Sequence, residues 1–172
     1  MSDRVTLQEL NAVDASVFTA TLGGIFEHSP YVAKRVAAKR PFASVAALHE
    51  AMVAEIERAG AEAQLKLIEA HPELAGKAAV RGELTEESTR EQSGVGLDRC
   101  SPEEFAKLQK LNDEYKQKFG FPFIVAVRGH SRQSIIALFE QRLANDRETE
   151  LQECLRQVYR IGQLRLEDLL SL

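Results

Sequence analysis

Residues 101–120 read SPEEFAKLQKLNDEYKQKFG. Ser101 at the N-cap, Pro102 at the first helical position and Glu104 three residues past the cap form a capping box. In that motif side chain and main chain satisfy each other's open hydrogen bonds. Phe105, Leu108, Leu111, Tyr115 and Phe119 follow at helical spacing, and Gly120 supplies a stop. A start, an apolar stripe and a stop in one uninterrupted run predict an amphipathic helix.

The same grammar holds outward in both directions. Ser44 heads a helix with Val45, Leu48, Met52 and Ile56 on one stripe, ending near Gly60. A second helix, about 61–70, carries Leu65, Leu67 and Ile68 and stops before Pro72. Ser131 caps a run with Ile135, Leu138, Phe139 and Leu143 inward, and a last long helix over about 148–163 offers Leu151, Cys154, Leu155 and Val158. One or two helices precede residue 37. No repeat, low-complexity tract or linker intervenes. The expected architecture is all-α: a single-domain helical bundle over 1–172, with one short extended segment near 121–127. There GFPFIVAV (120–127) breaks the pattern, because Pro122 forces Phe121 out of the α region and β-branched residues follow. Its main-chain groups need partners other than a sheet. It is a plug through the bundle or a wall that offers backbone groups to a ligand.

With 172 residues, 44% of them hydrophobic, the chain can bury a core without disulfides or metal. The net charge is −4 and no basic stripe stands out, so no nucleic-acid partner is expected. The most basic run, RVAAKR (35–40), reads as a helix face. Cys100 and Cys154 have no metal or redox spacing and are expected as reduced thiols. The start MSDRVTLQEL has no apolar signal core, and no run approaches the ~18 apolar residues of a membrane span. The closing Leu170-Ser171-Leu172 lacks the basic middle residue of a peroxisomal address. A soluble, cytoplasmic protein with no membrane partner is expected.

Two stretches invite chemistry. EESTREQSGVG (86–96) begins like a helix, yet no apolar side chain lies between Leu84 and Val95. Ser88, Glu91 and Gln92 fall at i, i+3 and i+4 and so share one face. A hydroxyl, a carboxylate and an amide can hold a small polar molecule. They can equally face solvent on a helix whose end turns away through Gly94 and Gly96. In HPELAG (71–76), Pro72 restricts His71 to extended backbone near a helix C-terminus, where the dipole favours the protonated ring. An imidazole held that way suits a general acid or base; a capping or core histidine is the alternative. His28, His49 and His130 have weaker settings. HExxH, HxH, CxxC, GxGxxG, GxxxxGK and GxSxG are all missing, so a site without metal or cofactor is expected.

Four separated stretches carry a family likeness: HPELAG (71–76), LTEESTREQSGVGLD (84–98), LNDEYKQKFGFPFIVAVRG (111–129) and IGQLRLEDLL (161–170). With RPF (40–42), and in this order over about Phe26 to Leu170, the chain resembles the OHCU decarboxylases (2-oxo-4-hydroxy-4-carboxy-5-ureidoimidazoline decarboxylases) of uric acid degradation. The resemblance implies a helical fold, a homodimer, no cofactor, and conversion of OHCU to (S)-allantoin with loss of CO2. It implies His71 as proton donor, with Pro72 a substrate contact beside it. Ser88, Thr89, Arg90, Glu91 and Gln92 become the substrate-binding helix, and the chemistry of the decarboxylation adds the expectation that Glu91 is also catalytic. Phe123, Ile124, Val125, Ala126 and Val127 become a segment that meets substrate through its backbone, and Arg165 an arginine near the site. A helical binding or adaptor domain, and a different cofactor-free lyase or isomerase on a related ureide, are the competing expectations.

Overall fold

The computed structural model describes residues 4–171; Met1–Asp3 and Leu172, the end of the C-terminal tripeptide, lie outside the described residues. Its helices are α1 Leu7–Ala12, α2 Ala15–Leu22, α3 Tyr31–Ala37, α4 Val45–Ala59, α5 Ala61–Ala70, α6 Lys77–Val80, α7 Glu86–Gly94, α8 Pro102–Phe119, α9 Arg132–Arg142 and α10 Arg147–Leu169. The all-α expectation is borne out. Ser44, Thr85, Ser101 and Ser131 each accept a main-chain N–H at the start of a helix. Both halves of the Ser101–Glu104 capping box are made, and Gly120 ends α8 at φ 84°. Three short helices precede residue 38 where one or two were expected, and α10 runs six residues past the predicted end. A two-residue parallel pairing, β1 Val5–Thr6 with β2 Leu170–Ser171, was not foreseen. So short a pairing leaves no alternation to read.

The chain divides into two compact units: residues 1–67 with 159–172, and residues 68–158. In the first, Phe18, Leu22, Phe26, Val36, Leu48, Met52, Ile56 and Leu166 are buried. Arg40 staples the chain by donating to the carbonyls of Leu10 (2.9 Å), Ala37 (2.9 Å) and Val13. Lys39 pairs with Glu55 at 2.7 Å, and the Arg35 guanidinium lies over the Tyr31 ring. The basic run 35–40 is thereby occupied in holding its own unit together.

The second unit centres on Tyr115, ringed by Phe119, Phe121, Phe123 and Phe139 with centroids 4.5–6.0 Å away. Most of these pairs meet edge to face, the geometry the aromatic quadrupole favours. The inward expectations hold only in part. Phe105 is exposed, because the stripe of α8 that packs begins only at Leu108. Val45, Leu65, Leu138, Leu143 and Leu151 are half-buried, while Arg142, at the end of α9, is buried.

Candidate active site

The face that α7 turns inward is polar. Ser88 and Gln92 are buried, Glu91 beside them is half-buried, and Thr89 and Arg90 are exposed. One hundred degrees per residue puts Arg90 opposite the face of Ser88 and Gln92, with Thr89 and Glu91 on its two flanks. The Thr89 hydroxyl donates to the Thr85 carbonyl at 2.8 Å. What replaces an apolar seam is hydrogen bonding. Gln92 Oε1 accepts the main-chain N–H of Ala75 at 3.0 Å, and its Nε2 donates to the Glu73 carbonyl at 3.3 Å. The inward side of α7 therefore meets the HPELAG loop directly.

That loop has no regular structure of its own. His71, 7% exposed, follows the end of α5, and its N–H reaches the Ile68 carbonyl at 3.1 Å. Pro72 cannot continue a helix. Two further amides hold the loop from α8: Asn112 Nδ2 donates to the Leu74 carbonyl at 3.0 Å, and Gln109 Nε2 to the Ala75 carbonyl at 2.7 Å. Ala75 sits at φ 50°, a left-handed conformation costing a non-glycine residue ~1–2 kcal/mol. The surrounding hydrogen bonds offset that strain.

The segment 121–127 is neither helix nor strand, and Phe121, Phe123, Ile124, Val125 and Val127 are buried. Its partners are side chains. Arg142 Nη1 donates to the Ile124 carbonyl at 2.6 Å, and Gln157 Oε1 accepts the Ala126 N–H at 3.0 Å. Arg142 also lies over the Phe123 ring, 4.3 Å from its centroid. The charge is answered by Glu150, whose Oε1 takes Arg142 Nε at 2.8 Å and the Tyr115 hydroxyl at 2.7 Å, while Oε2 takes Asn145 at 3.0 Å. Burial pushes the Tyr115 phenol far above its ordinary range and the Cys154 thiol up as well, so both stay neutral donors in this network. Neither Arg142 nor Glu150 stood out in the sequence.

Arg165 belongs to the first unit. It is 6% exposed, pairs with Glu27 at 2.9 Å, and donates to the carbonyls of Gly24 and Ile25. The other histidines have settings of their own. His49 meets the Tyr159 carbonyl at 2.8 Å, His130 meets Ser134 Oγ at 3.0 Å, and His28 is exposed beside Glu27. Gly96, at φ 80°, makes the turn after α7, but Gly94 is an ordinary helical residue. Both cysteines are free thiols. Among the described residues no three His, Cys, Asp or Glu side chains cluster as metal ligands, and no helix is long and apolar enough to cross a membrane.

A family model described as OHCU decarboxylase matches residues 11–167. The chain is 42% identical over 166 residues to 2-oxo-4-hydroxy-4-carboxy-5-ureidoimidazoline decarboxylase of Halalkalicoccus jeotgali, covering 96% of this chain and 92% of that one. It is 42% identical over 166 residues to the uric acid degradation bifunctional protein PucL of Bacillus subtilis, of whose length it spans 33%. A crystal structure of (S)-allantoin synthase superposes with a TM-score of 0.78 at 26% identity, covering 96% of this chain and 54% of that one.

Proposed function

We propose that the chain, which belongs to the OHCU decarboxylase family, is a carboxy-lyase of uric acid degradation that turns OHCU into (S)-allantoin without a cofactor. The systematic name of the substrate says why no cofactor is needed. Ring carbon 4 carries both the carboxylate and a hydroxyl, and carbon 5, beside it, carries the ureido group on an imidazoline C=N. When the bond to the carboxylate breaks, CO2 leaves and its electron pair forms a carbon 4–carbon 5 double bond. The π pair of the C=N moves to nitrogen, which takes a proton. Loss of the hydroxyl proton then makes carbon 4 a carbonyl, and a proton added to carbon 5 sets its configuration. The net requirement is one proton. The substrate is its own electron sink, the service that PLP or thiamine renders elsewhere.

The residues of the second unit suit the remaining tasks. Glu91 hydrogen-bonds the hydroxyl or the ureido N–H groups of the substrate. His71 handles the hydroxyl proton and delivers a proton to one face of carbon 5. Pro72, Ser88, Gln92 and the backbone of 123–127 hold the ureide and ring amides. Thr89 and Arg90, exposed beside that face, are assigned no contact. Arg165 is a further substrate contact that the family likeness suggests. The observation that carries the reading is the pair of Gln92 hydrogen bonds to Glu73 and Ala75, which holds the helix of Glu91 against the loop of His71. Orientation of this kind supplies much of the rate in reactions with little covalent chemistry for the protein to do. A homodimer in the cytoplasm completes the reading.

The test generates OHCU freshly from urate with the upstream enzymes and follows circular dichroism. The expected result is faster formation of one allantoin enantiomer. An unchanged slow and racemic course overturns the assignment.

A further inference from the structure

We propose that Gln109 and Asn112, on α8, are positioning residues for the imidazole of His71. The inference rests on the assignment of His71 as the proton donor. From Glu73 to Ala75 the three main-chain carbonyls and the N–H of Ala75 each meet a side-chain amide, and the Glu73 carbonyl also accepts the Gly76 N–H at 3.4 Å. Gln92 takes the Glu73 carbonyl and the Ala75 N–H, Asn112 takes the Leu74 carbonyl, and Gln109 takes the Ala75 carbonyl. A loop with Leu74 and Ala75 buried and one residue at φ 50° has its course dictated from outside. On the other side Pro72 restricts His71 itself. The direction of the ring thus has two determinants: the proline next to it, and an amide clamp that fixes where the chain after the proline goes.

Asn112 gives a second indication. It is 3% exposed, and its Oδ1 is buried without a hydrogen-bond partner. A buried acceptor left open is a cost to the fold that a leucine in this apolar helix face would avoid. What the amide supplies in return is the donor to Leu74. Gln109 is half-buried, so its loss does not open the core.

Gln109→Met keeps the bulk of the side chain and removes the donor. Gln109→Lys keeps a donor on a flexible stem. We expect Gln109→Met to lower kcat by about tenfold or more with KM within about twofold, since the bound substrate stays while the proton donor is misaimed. Gln109→Lys should recover most of that loss. Tm should move by no more than about 4 °C. In the NMR titration of the ring of His71, assigned with His71→Ala, the midpoint should shift in Gln109→Met and return in Gln109→Lys. A Gln109→Met protein with parental kcat and an unchanged His71 titration overturns the proposal. So does a loss of kcat that merely follows a loss of folded protein. Should Gln109→Met fail to fold, Gln109→Glu, isosteric and without donors, takes its place with the same two readouts. If the parent shows no turnover of OHCU, the functional reading falls, while the titration still decides whether the clamp sets the ring.

Discussion

Arg142, the last residue of α9 and eighteen residues further along the chain, holds Ile124 by its main-chain carbonyl at 2.6 Å. The bond makes a buried guanidinium the anchor of the irregular segment 121–127. Its counter-charge, Glu150, is fully buried. Removing one partner of such a pair leaves the other charge buried and unanswered, which costs ~3–5 kcal/mol. Arg142→Met and Glu150→Leu should each lower the urea midpoint accordingly. The double variant Arg142→Met/Glu150→Leu should be less destabilised than the sum of the two. Strict additivity in that cycle would deny the coupling.

His71→Ala should lose about a hundredfold or more in kcat, the range of general acid–base contributions, with far-UV dichroism and Tm near parental. Glu91→Gln keeps the shape of the side chain and should lose most turnover. Full activity in Glu91→Gln would take that carboxylate out of the mechanism. A protein that only binds its ligand would tolerate His71→Ala with a modest loss of affinity.

The Ser101 N–H and, next, the Arg132 side chain hold the Glu104 carboxyl below its ordinary 4.5. Asp146 is held below 3.8 by the Thr149 N–H, and Glu55 below 4.5 by Lys39. A carboxyl depressed in the folded state stabilises fully above its unfolded value. That contribution is lost as the pH falls through the lower folded value. Tm should therefore be flat near neutrality and decline from about pH 5 downward. Glu104→Gln should start lower at pH 7 and decline less steeply. An equal slope for parent and variant would remove Glu104 from the acid response.

Gly162 lies in α10 against Phe26. A Cβ there would come within 2.6 Å of two atoms of the Phe26 ring, which is itself buried. Gly162→Ala should destabilise by ~1–3 kcal/mol through overpacking, against the gain a helical alanine normally brings. Phe26→Leu should relieve part of the cost in the double variant. A Gly162→Ala protein more stable than the parent would contradict the packing described.

The helices were legible because their signals act within one turn of the chain. A serine accepts from an N–H three residues on, Pro102 sets its own φ, and Gly120 needs only its own missing Cβ. Periodicity marked Leu108, Leu111, Tyr115 and Phe119 as one buried face. It overreached at Phe105, since spacing says which residues share a stripe but not how far along it a neighbour extends. The residue types of α7 put a hydroxyl, a carboxylate and an amide on one face for the same local reason, but left open whether that face turned inward or to solvent.

What the tertiary structure alone decided is the course of the irregular segments. Ala75 is held by Gln92, seventeen residues away, Leu74 by Asn112 at thirty-eight, and Ile124 by Arg142 at eighteen. No local pattern marks such partners, because a glutamine or arginine on a helix looks the same whether it meets water or a distant carbonyl. The residue types proposed for the chemistry are read from the chain itself. Their aim depends on buried main-chain groups that must be satisfied by whatever the fold brings alongside.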